Sequence, residues 1–158
     1  MAVHGPVSRL LAKDERNAKV SVWTYFRYGV QPSVVVFDLR SVDDGAASVD
    51  VMRVLLQAAS ALKDSTFDRV ILAHAGEAKF LLEGKFFKQV GEEFGQQNVV
   101  YTLRTFPENV YKLDGKAAYG TWTGGVLGVM GKQMEDLNAF SRDWYINDMA
   151  REAAKARK

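Results

Sequence analysis

The strongest constraint on the fold is an uninterrupted apolar run, Val34-Val35-Val36-Phe37, within residues 33–41 and just after the turn-forming residues 29–33. A strand with one solvated face alternates apolar and polar residues, whereas a strand covered on both faces does not need to. The run therefore predicts a central strand. Upstream, Val20, Val22, Thr24 and Phe26 alternate with Lys19, Ser21, Trp23, Tyr25 and Arg27, the period of two expected for a half-buried strand over residues 18–28.

Helical and extended patterns then take turns. From about residue 46 to 63, Ala47, Val51, Leu55, Ala58 and Leu62 share one helical face that Val49, Met52, Leu56 and Ala59 widen, with Asp43, Asp44 or Ser48 as the expected N-cap. Residues 68–75 read as a strand, Gly76-Glu77 as a type II′ turn, and residues 78–83 as the antiparallel return. Gly84 stops that strand, and residues 85–94 read as a helix closed by Gly95. Residues 98–105 read as a further strand. Asp114-Gly115 predicts a type I′ turn joining residues 110–113 to 116–119. From about 125 to 155, Leu127, Met130, Met134, Leu137, Ser141, Trp144 and Asp148 recur at spacings of three and four, flanked by Phe140 and Tyr145. That spacing predicts an amphipathic helix about 40 Å long.

The order predicts an α/β fold, with α+β the alternative: a mixed β-sheet with helices packed on it and a long C-terminal amphipathic helix. Parallel pairing across each strand–helix–strand unit follows from the right-handed crossover rule. No repeat, linker or low-complexity tract divides the chain, so residues 1–158 read as one domain, with 1–16 and 151–158 expected to be flexible.

Charge and composition then limit the chemistry. With 21 Lys+Arg against 19 Asp+Glu the net charge is +2, too balanced for a general polyanion binder, so nucleic acid is not the expected partner. The absence of cysteine removes disulfides and thiol nucleophiles, leaves any metal site to two histidines and carboxylates, and suits a reducing cytoplasm. Neither a cofactor nor a metal site is expected. No stretch approaches the roughly 18 apolar residues of a membrane span, and residues 1–16 lack the apolar core of a signal peptide.

Three groups of residues could carry function. The run of residues 119–132 is rich in glycine and opens the long helix, where backbone N–H groups lack internal partners. Thr121, Thr123, Gly124 and Gly125 there, with Arg104 and Lys132, form a candidate site for a small anion. It is not a P-loop, because Val126 and Gln133 stand where that motif needs glycine and Ser or Thr. Its other reading is structural: Gly124, Gly128 and Gly131 let the helix pack closely on the sheet. The second group is the strand face Trp23, Tyr25 and Arg27, suited to stacking bases or, as expected here, to lying beneath the C-terminal helix or a second copy. The third is Met134, Trp144 and Tyr145, residue types enriched at interfaces.

Catalytic residues are not expected. A Ser-His-Asp arrangement would have to use His74, no G-x-S-x-G elbow accompanies it, and its ring is expected at the surface at a strand end. A magnesium ion on Asp38, Asp43 or Asp44 is a weaker alternative to turn and capping roles.

The stretch Phe37-Asp38-Leu39-Arg40, leading through an acidic turn to a helix, resembles STAS-type regulatory domains over about residues 33–94. The resemblance implies a regulatory role and a serine near the helix start as a phosphorylation site, which at the matching position after Asp43-Asp44 is Ser48. Two function classes follow. One is a non-enzymatic regulatory or protein-interaction module, acting through the aromatic strand face and the long helix on a protein partner or on itself. The other is a small-anion-binding protein or enzyme using residues 121–125.

Overall fold

The computed structural model describes residues 3–96 and 98–157. Strands β1 (Val20–Arg27), β2 (Gln31–Val42), β3 (Arg69–His74), β4 (Glu77–Glu83) and β5 (Val110–Tyr111) form one sheet in the order β1-β2-β3-β4-β5. Helices α1 (His4–Ala12), α2 (Ser48–Ala61), α3 (Gly84–Glu93), α4 (Val99–Thr105), α5 (Val126–Ser141) and α6 (Asn147–Ala156) complete the α/β fold. Only β2 and β3 are parallel, joined by the α2 crossover, and the other neighbours are antiparallel. Among the described residues no helix is long and apolar enough to cross a membrane.

Register decides which side chains share a face. Val35, Phe37 and Leu39 of β2 and Val70 and Leu72 of β3 join Val7 of α1, Val51 and Leu55 of α2, Phe87 of α3, and Phe140 and Trp144 in one large core. On the opposite face Val34, Val36, Ile71 and Ala73 form a second cluster, flanked by Tyr25 and Leu81. Among the described residues no helix contributes to it. The central strand is thus apolar on both sides, as its run predicts, but helices cover one side only.

The C-terminal helix is continuous over 31 residues, about 45 Å. Between α5 and α6 the turn Arg142–Ile146 is π-helical. This widened turn brings the consecutive residues Trp144 and Tyr145 to 0% and 3% exposure. The Trp144 ring stacks on Phe140 at 5.4 Å and tilts against Phe37 at 5.9 Å. The amino-terminal half of the expected stripe does not follow. Leu127 is 85% exposed and Met134 is exposed, while Gln133 is buried.

Four local expectations are corrected. Residues 98–105 form α4, because the Asn98 side chain accepts the Val100 N–H at 2.9 Å and caps a helix that β-branched propensity alone reads as a strand. The β3–β4 turn is Ala75-Gly76, with φ of 49° and 86°, a type I′ geometry in place of type II′ at Gly76-Glu77. The amino-terminal segment, expected to be flexible, forms α1: Val7 is buried, and Nδ1 of His4 accepts the Thr24 N–H at the edge of β1. The N-cap of α2 is Ala47, and the acidic help comes from inside the helix, where Asp50 accepts the Ala47 N–H at 2.8 Å.

The glycines divide unexpectedly. A Cβ on Gly124, Gly128 or Gly131 would meet nothing within 4 Å, so close packing does not explain them. The close approaches are in α3, where a Cβ on Gly84 would collide with the Phe67 carbonyl and one on Gly91 with the Ala59 carbonyl of α2. Gly91→Ala should therefore lower stability by about 1–3 kcal/mol, through a backbone that cannot yield. Gly131→Ala, in open space inside α5, should raise it by about 0.5–1 kcal/mol. Thermal denaturation of the two variants checks both signs, and equal effects would contradict the assignment.

Candidate functional site

The site with the most internal organisation lies at the carboxyl end of β2, on the face that no helix covers. Asp38 points to that face and is 1% exposed. A carboxylate this deep needs partners, and it has three: the Tyr25 hydroxyl donates at 2.8 Å, Nη1 of Arg40 at 2.9 Å and the Gly76 N–H at 3.1 Å. Burial, with the Asp38 carboxylate beside it, pushes the Tyr25 phenol up to about 12. The Arg40 guanidinium, held by Asp38, lies 4.6 Å from the ring centroid of Trp23, which is directly opposite Asp38 on β1 and 53% exposed. A buried carboxylate thus fixes an arginine, and the arginine fixes an exposed indole.

Tyr25 and Trp23 are brought together as predicted, but not beneath the C-terminal helix, which packs on the other face. Arg27 lies over Tyr28 at 4.9 Å, at the far end of β1. Trp144 and Tyr145 are core residues, and of the third group only Met134 remains at the surface. Asp38 is buried and already accepts from three donors, one of them the Arg40 guanidinium that balances its charge, and Asp43 and Asp44 are exposed in the following turn.

Behind β3 stands a second polar cluster. The β3–β4 pairing slips at Lys79, a bulge that leaves this residue without a partner of its own on β3 and re-aims its side chain. Its ammonium reaches Asp148 of α6 at 2.9 Å, and the same carboxylate lies 2.8 Å from Nδ1 of His74 and is paired with Arg151. Beside the slip, the Trp144 indole N–H donates to the Ala73 carbonyl at 3.0 Å. His74 is therefore buried at 8% exposure, not presented at the surface: sequence shows a strand end, and the helix that covers it arrives from 74 residues away.

The glycine-rich entrance differs from its expected form. Gly125 is the N-cap of α5 without any side-chain cap bond, Gly124 has φ of 120°, and Thr121, Thr123, Val126 and Leu127 are exposed. Lys132 lies 5.3 Å from the Trp122 ring, whose indole N–H donates to Asp136 at 2.7 Å. The Tyr119 hydroxyl donates to Asp143 at 2.9 Å. The aromatic residues of the run thus clasp a strap antiparallel along α5, because residues 119 and 122 meet residues 143 and 136 in reverse order. Arg104 lies over Tyr101 one turn earlier on its own helix, and its Nε is buried without a partner. Neither cation is committed to residues 121–125.

Hydrogen bonding from His74, then from Lys79, holds the Asp148 carboxyl below the ordinary carboxylate range. A carboxylate that ionises more readily when folded contributes fully above the unfolded value of about 3.9, and the contribution fades as pH falls further. Asp148→Asn should therefore lower the melting temperature at pH 7, by about 2–4 °C for each kcal/mol lost. It should also flatten the acid limb of stability below about pH 4. Parallel acid titrations followed by circular dichroism check this, and coincident acid limbs would show that Asp148 is not the group responsible. In comparison with known proteins, the chain matches no family model, no curated sequence and no solved structure.

Proposed function

We propose that this protein is a non-enzymatic interaction module, regulatory in role, whose contact surface is the helix-free face of its sheet. The observation that carries the reading is Trp23, an exposed indole on that face held in place by Arg40 and the buried Asp38. Aromatic and arginine side chains fixed in advance are the groups that contribute most to protein contacts, because little rotamer freedom is lost on binding. The titratable groups point the same way. Asp38 and Asp148 are each engaged by three donors, and a hollow of about 520 Å³ beside Asp14 and Gln57 is lined by residues that tie the segment after α1 to α2.

The resemblance to STAS-type domains supports a regulatory reading, and Ser48 stands exposed at the first turn of α2, where an added phosphate would meet free N–H groups. The lack of cysteine favours a cytoplasmic setting. A small anion at residues 121–125 keeps one support, the exposed first turn of α5 that no side chain caps.

Affinity capture with tagged wild type, Trp23→Ser and Met134→Ser, read by quantitative mass spectrometry, tests the surface. Partners, including untagged copies of the same chain, should be depleted at least about tenfold by Trp23→Ser, the loss of roughly 1.4 kcal/mol expected of an interface anchor, and retained by Met134→Ser. Indistinguishable captures from wild type and Trp23→Ser would overturn the reading.

A further inference from the structure

The open face has a raised corner and a hollow corner, and the register places them diagonally. Trp23 pairs with Asp38 near the carboxyl end of β2, on the edge strand β1. The hollow, about 170 Å³, lies at the other side of the sheet, lined by Arg69, Leu81, Glu83 and Tyr111. Arg69 and Glu83 are cross-strand partners level with Val34, toward the amino end of β2. Glu83 is exposed and forms no ion pair among the described residues. Arg40, beside Trp23, supplies the opposite charge and is a third exposed.

We infer that the occupant of this face is a second copy of the chain, packed sheet to sheet about a twofold axis so that each Trp23 enters the hollow of the other copy. This rests on the interaction reading above. A twofold axis midway between two stacked sheets, directed along the other diagonal, exchanges the raised and hollow corners and sets the two strand directions near 90°. Crossed sheets of this kind are one of the two stable modes of sheet packing. The pairing is isologous, so one complementary pair of corners makes two identical contacts. It also brings each Arg40 beside the unpaired Glu83 of the other copy, matching charge as well as shape.

Area sets the strength. Strands about 4.8 Å apart, with about 3.3 Å per residue along the six residues of β3, give a face of roughly 20 Å by 20 Å. Two copies then bury about 800 Å² in total, within the range of weak, transient interfaces and below that of stable ones. The dimer is therefore weak, dissociating on dilution at roughly micromolar concentration.

Sedimentation equilibrium of the full chain from about 1 to 200 µM should show the mass rising from 17.6 kDa toward twice that value. Trp23→Ser and Glu83→Arg should each weaken the dimer at least about tenfold, as expected of an aromatic anchor seated in a pocket and of the carboxylate that faces Arg40. The Glu83 carboxylate accepts no capping N–H from α3, and circular dichroism checks that Glu83→Arg stays folded, while Met134→Ser on the helix layer should leave the dimer unchanged. A wild type that stays monomeric throughout, or a dimer that survives both open-face variants, overturns the self-pairing. If it is monomeric while Trp23-dependent capture persists, self-pairing alone fails; if capture is also indifferent to Trp23, the interaction reading fails with it.

Discussion

The structure turns on one buried carboxylate. Asp38 sits on the central strand at 1% exposure, where an unpartnered charge would cost several kcal/mol. Its three donors come from three segments: Tyr25 on β1, Arg40 farther along β2, and the backbone of the β3–β4 turn at Gly76. Satisfying one side chain therefore fixes the position of an edge strand, of a surface arginine and of a hairpin tip. The tip accepts strain for it. Ala75 takes φ of 49°, a region that a residue with a Cβ rarely enters, and its N–H donates to the Leu39 carbonyl at 2.9 Å while Gly76 faces Asp38.

On the other side of β3 two irregularities compensate one another. A bulge in β4 leaves Lys79 out of the β3 pairing, and a π-turn in the C-terminal helix rotates Trp144 and Tyr145 together onto the sheet. The indole N–H then meets the Ala73 carbonyl beside the bulge, and the freed lysine meets Asp148 one turn later. With a regular helix against a regular hairpin, these buried polar groups would lack partners. This explains why the buried stripe of the long helix runs through Gln133, Phe140, Trp144 and Tyr145 and abandons Leu127 and Met134.

What could be read from sequence was what neighbours in sequence decide. The alternation through Trp23 and Tyr25, the apolar run of β2, the parallel crossover through α2 and the three–four spacing around Trp144 all depend on local periodicity. The failures share a cause. Residues 98–105 carry β-branched residues, yet one Asn98 cap and the docking of Leu103 outweigh their propensity. His74 and Asp38 owe their environments to partners up to 74 positions away, which no spacing rule reveals. Glycine density drew attention to residues 120–131, whereas the glycines that backbone contact demands are the isolated Gly84 and Gly91.

The sequence's plainest signal, a strand apolar on both sides, meets a sheet with helices on one side. The chain resolves the conflict in part by itself. Tyr25 and Leu81 flank Val34, Val36 and Ile71, which retain no more than 6% exposure, so the monomer does not depend on a partner to keep its second cluster dry. The remaining apolar exposure on that face is concentrated in Trp23, with Arg40 beside it and Arg69 and Glu83 at the opposite corner, while His4 of α1 occupies the Thr24 N–H on the free edge of β1. A proud aromatic with a cation at one corner and a carboxylate at the other, beside a strand edge partly blocked by its own chain, favours pairing through the face over pairing through the edge.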